Sequence, residues 1–135
     1  MKKISYLMIF AGLLFLANIS KAQENSTTNQ ASKNVNAFFK NVKGEQVTVK
    51  DLIESELLTD INGYTVVSFD LTLNVKTIGN ADLVTSSNTG NKISERQAAL
   101  LRKQNPGDKV YIENIKCKDP QGNECVLSAL KFVIK

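Results

Sequence analysis

Cys117 and Cys125 are the only two cysteines in the chain, and they bracket the run Lys118-Asp119-Pro120-Gln121-Gly122-Asn123-Glu124. Three chemistries are open to such a pair: a structural disulfide, two buried thiols, or redox and metal work. Metal binding would need further soft ligands that one chain does not offer. A redox-active pair usually sits two residues apart at a helix start, which this pair does not. In an oxidising compartment the pairing favours a disulfide. The chain has no histidine, which removes histidine-based serine and cysteine hydrolases, most zinc sites and the commonest proton shuttle. Tryptophan is absent too, weakening recognition of sugars or single strands by stacking. No acid sits in an apolar setting that would raise its pKa for glycoside hydrolysis. The expectation is no catalytic residue, no metal site and no cofactor, with a hydrolase as the least favoured reading.

Two apolar-rich runs, from Val110 and up to Ile134, flank the cysteine-bracketed loop. Pro120 suits the second position of a turn and Gly122 tolerates the positive φ that follows, so the segment reads as a β-hairpin. Counting register outward from Gln121 sets Cys117 opposite Cys125 and Ile115 opposite Leu127 on one face.

The N-terminus follows a different logic. A basic start at Met1-Lys2-Lys3, an apolar run from Ile4 to Ile19 and the small residues of Ser20-Lys21-Ala22 read as a secretory signal peptide, residues 1–22, cleaved before Gln23. A membrane-spanning helix is the competing reading, but the run is short and interrupted by Ser5, Gly12 and Asn18. Loss of Lys2, Lys3 and Lys21 leaves fourteen basic against thirteen acidic residues, so the formal charge falls from +4 to about +1. That balance gives no footprint for nucleic acid. The cluster Arg96, Arg102 and Lys103 reads as a solvated helix face.

Residues 23–42 read as a flexible polar leader, since Gln23 to Asn34 cannot bury enough to offset its ordering entropy. Within it Phe38 and Phe39 either dock on the domain or touch a partner, docking being favoured. Thr48 and Asp51 form a capping-box pattern ahead of a short helix from about Val49 to Leu58. Val67, Phe69, Leu71, Leu73 and Val75 alternate with Ser68, Asp70, Thr72 and Asn74, predicting a strand with one face on the core and one face polar. Asp70 reads as a solvated residue of that polar face. A turn at Gly79-Asn80 leads to a second, antiparallel strand over Asp82 to Ser86, and Ser87 to Asn91 reads as a loop. Ser94 and Gln97 make a second capping box, opening a helix from Glu95 to about Gln104 with Ala98 and Leu101 inward. The fold class is α+β, a small antiparallel β-rich domain, sandwich-like or a single sheet, with one or two short helices packed on it.

The run from Gly90 to Ile134, with its capped helix holding Gln97, the strand Ile112-Glu113-Asn114-Ile115 and the Pro-x-Gly turn, resembles the C-terminal domain of GldM, a periplasmic component of the gliding motility and type IX secretion machinery of Bacteroidetes. The upstream VVSFDLTLNV and its preceding helix also fit, so the likeness covers residues 43–135. The resemblance implies a β-rich fold with a packed helix and a role in protein contact, and it carries no catalytic residue. GldM has a transmembrane helix and further periplasmic domains ahead of this one, so a signal peptide followed by one domain implies a stand-alone exported version, periplasmic or secreted. The cysteine pair is not a feature associated with the family. The expected function is therefore a non-enzymatic protein-binding domain, an accessory of that machinery, with envelope proteins as partners, no nucleic acid, no membrane contact after cleavage, and room for a homo-oligomer. The alternative is a periplasmic carrier or sensor of a small apolar ligand held between sheet and helix.

Overall fold

The computed structural model describes residues 34–135; the expected signal peptide, residues 1–22, and residues 23–33 of the expected leader lie outside the described residues. The elements run β1 (Ala37–Phe39), β2 (Gln46–Val47), α1 (Val49–Glu54), β3 (Leu57–Thr59), β4 (Thr65–Thr77), β5 (Asn80–Thr89), α2 (Glu95–Leu101), β6 (Lys109–Lys118), β7 (Glu124–Leu127) and β8 (Leu130–Ile134). Six of the strands form one sheet in the order β2-β8-β6-β4-β5, with β7 also on β6, and β1 and β3 form a separate antiparallel pair. This is the expected α+β, β-rich domain. One pair departs from the antiparallel rule, because β2 runs parallel to β8.

The core lies on one face of the sheet. Phe69, Leu71 and Leu73 of β4, Val110, Ile112 and Ile115 of β6, and Phe132 and Ile134 of β8 pack with Leu52 of α1, Leu101 of α2 and Leu57 of β3. The apolar faces of both helices and of the β1-β3 pair are thereby removed from water, the driving term of the fold. Both capping boxes are present: Thr48 with Asp51 on α1 and Ser94 with Gln97 on α2. Gln97 also donates from Nε2 to the Ser86 carbonyl at 2.8 Å, which ties α2 to β5. Arg96, Arg102 and Lys103 are exposed, and Arg102 pairs with Glu95.

The structure alters four sequence expectations. The segment 34–42, assigned to the leader, belongs to the folded body. Phe39 docks at 1% exposure while its neighbour Phe38 keeps 42%, and Phe39 meets Phe69 and Phe132 edge-on at 6.5 and 5.9 Å. Polarity before Val35 concealed this, since one buried ring outweighs several solvated amides. Helix α1 stops at Glu54, and Leu57 and Leu58 belong to β3, because pairing with Phe38 and Phe39 of β1 supplies backbone partners that a longer helix would forgo. Strand β5 runs on through Ser87 to Thr89, the expected loop, since β4 pairs with it without a break. Finally, α2 ends at Leu101 and its last residues continue as turns, with Gln104 bonded to the Leu101 carbonyl.

Candidate interaction surface

With Phe69, Leu71 and Leu73 turned inward, the pleat of β4 sends Ser68, Asp70, Thr72 and Asn74 to the opposite face. The neighbours of the first three across the strands are also polar, while Asn74 lies opposite Leu83. Ser68 lies opposite Thr89 and Lys116, Asp70 opposite Ser87 and Glu113, and Thr72 opposite Thr85 and Tyr111. The Thr72 hydroxyl donates to Glu113 Oε2 at 2.7 Å. Its single proton is then committed, so the 2.9 Å contact between the two threonines is Thr85 donating to Thr72. Thr72 is only 4% exposed on this outer face, covered by the groups it binds.

Asp70 and Glu113 are like charges placed directly opposite one another, an arrangement that destabilises a sheet pair. Each carboxylate has its own donor. Asn114 Nδ2 donates to Asp70 Oδ2 at 2.8 Å, so Asp70 is not the isolated solvated acid that the sequence suggests.

Two irregularities shape this surface. Between Val66 and Ser68 the β4 strand gains a residue against β6, and between Ser68 and Asp70 the extra residue is on β6. The two bulges cancel, so the register beyond them matches the register before. They explain why Val66, at 4% exposure, takes the inward position that strict alternation assigns to Val67. Asn114 sits at the second bulge with φ of 47°, the one non-glycine residue at positive φ among the described residues. Between the bulges lies an open depression lined by Ser68, Asp70, Ser87, Asn88, Asn114 and Lys116. A single flawless strand was the sequence expectation; alternation alone carries no signal for a pair of compensating bulges.

Beside the depression stands the closing hairpin. Cys117 pairs with Cys125 and Ile115 with Leu127, the register expected from the loop, and the cysteines are joined in a disulfide across a Cα separation of 4.9 Å. The loop is held by Asp119, whose carboxylate accepts from the amides of Gln121 and Asn123. Partial desolvation pushes the Asp119 pKa up, but the donors from Asn123, Gln121 and Gly122 outweigh it and hold the carboxyl below its ordinary value. Pro120 packs against Gly63, where an added Cβ would come within 2.7 Å of the proline ring. Val126, opposite Lys116, is 72% exposed.

The clefts among the described residues open at the surface, and the residues between the sheet and its covering elements are packed into one cluster. An apolar ligand carried between sheet and helix finds no support there. No group of three or more metal-ligating acids or cysteines occurs among the described residues.

A match to the GldM C-terminal domain spans residues 45–135. No curated protein matches the chain. The chain belongs to the GldM C-terminal domain family.

Proposed function

We propose that this member of the GldM C-terminal domain family is an exported, non-enzymatic protein-binding domain, an accessory of the gliding motility or type IX secretion machinery that works in the periplasm or outside the cell. The observation that carries the reading is the outer face of the sheet. Among the described residues no helix or strand covers it, yet its side chains are fixed in place by cross-strand hydrogen bonds from Thr72, Thr85 and Asn114. Ordered polar groups beside an exposed Val126 fit the mixed character of a non-obligate protein interface. The Cys117–Cys125 disulfide supports export, since such bonds persist outside the reducing cytosol.

Photo-crosslinking in intact cells tests the proposal. A crosslinking amino acid at Ser87 or Lys116, both on the outer face, should yield a discrete adduct with a component of the machinery. The same group at Lys50, on exposed helix α1, should not. Adducts that are the same from all three positions, or none from the outer face, would overturn it.

A further inference from the structure

Strand β5 is the terminal strand of the sheet, and none of the described residues pairs with its free edge. Its ten residues, NADLVTSSNT, hold no proline, lysine or arginine, and the register with β4 is continuous. Native sheets normally blunt an exposed edge with lysines, prolines, bulges or a short strand. Here none of those four is present; the one charge on the strand, Asp82, lies opposite Val75 on the core-facing side. Beyond Leu73, where β6 ceases to pair, the β4-β5 hairpin continues alone to a fully exposed Ile78, and Leu83 is 67% exposed.

We infer that this edge joins a second copy of the same chain, β5 against β5 in antiparallel fashion about a two-fold axis at Leu83. Backbone parity permits it. The Gly90 amide donates to the Val67 carbonyl at 2.7 Å, which makes that pair hydrogen-bonded. Alternation along the ladder then points the amides and carbonyls of Ala81, Leu83 and Thr85 away from β4 to the free edge. An axis at Leu83 sets Leu83 against its own mate and Ala81 against Thr85 of the partner subunit, hydrogen-bonded pairs that exchange two bonds each. The exposed Leu83 and the charge pattern together favour this axis. Asp82 is the one charged residue of β5; an axis at Asp82 would oppose two like charges, whereas the axis at Leu83 places it against Val84 of the partner subunit. The two exposed leucines cover one another on the outer face, and the sheets of both copies become continuous. The inference does not rest on the choice of machinery partner, since it concerns an edge and not the outer face that such a partner would cover.

Sedimentation equilibrium on the mature chain provides the test, read with two charge variants. The protein should show a concentration-dependent monomer–dimer equilibrium. Leu83→Lys and Leu83→Glu should each weaken dimerisation at least about tenfold, since each sets like charges opposite one another. Mixed in equal amounts, the two variants should recover a dimer, an outcome that simple damage to the fold would not produce. Ala81→Pro provides a second check. It removes only an outward amide, so it should weaken the dimer while leaving the far-UV circular dichroism of the monomer unchanged. A wild type that stays monomeric at high concentration would overturn the inference. So would a dimer that both charge variants leave intact, or variants whose mixture stays monomeric.

Discussion

Asn114 shows how a single backbone angle organises a surface. At φ of 47° it occupies a region that an L residue enters at a cost, and Asn tolerates it better than most. Its side chain then reaches Asp70. Asn114→Gly should therefore lose the Asp70 contact but keep the bulge, while Asn114→Val should cost about 1–3 kcal/mol through strain, the difference being read by urea denaturation. Carboxylates elsewhere set the acid limit of the domain. Hydrogen bonds from the Lys76 ammonium and the Asn105 amide hold the Asp108 carboxyl below its ordinary value, and those from Asn36, backbone first, do the same for Asp60. A depressed folded pKa gives stability that is present above the unfolded value and is lost as pH falls through the folded one. The urea midpoint should accordingly be level above pH of about 5 and decline below about 4. Asp60→Asn should soften that decline, and a midpoint still rising as pH drops through this window would contradict the assignment.

Among the elements, the β6-β7 hairpin was the most legible in the sequence, and for a clear reason. Pro120 and Gly122 fix the turn, and a turn fixes register, so Cys117 had to meet Cys125. The capped starts of α1 and α2 were readable for the same local cause. What escaped was set by distant partners. Leu57 and Leu58 read as helix until β1 is there to pair with them, and the bulges at Val67 and Asn114 exist only in relation to one another across two strands. The outer polar face was visible as alternation, but not its Thr85-Thr72-Glu113 chain, which needs the register of three strands. The disulfide closes a short loop whose turn already holds itself through Asp119. Replacing both cysteines by serine should cost about 2–3 kcal/mol by the chain-entropy argument and leave a cooperative fold. Unfolding of the oxidised protein on reduction at room temperature would show that the hairpin depends on its staple.

At the scale of the molecule, the family match begins at residue 45, yet the core reaches back to Ala37 and Phe39. The short β1 strand closes the β3 edge, and Asp60 clasps it by accepting from the backbone amide and the side-chain amide of Asn36, each at 2.8 Å. Phe39 fills the space between Phe69 of β4 and Phe132 of β8, so it joins the centre of the sheet to the strand that β2 extends. Phe39→Ala should therefore cost about 3–5 kcal/mol, a large part of the roughly 5–15 kcal/mol that holds a domain of this size together. Phe38→Ala, at a half-exposed neighbouring ring, should cost much less. A chain begun at Glu45 loses both Phe39 and the backbone partners of Leu57 to Thr59, and it should melt without a cooperative transition in near-ultraviolet circular dichroism. If that shortened chain melted like the full domain, β1 would be a decoration on a core that closes without it, and the folded unit would start where the family likeness does.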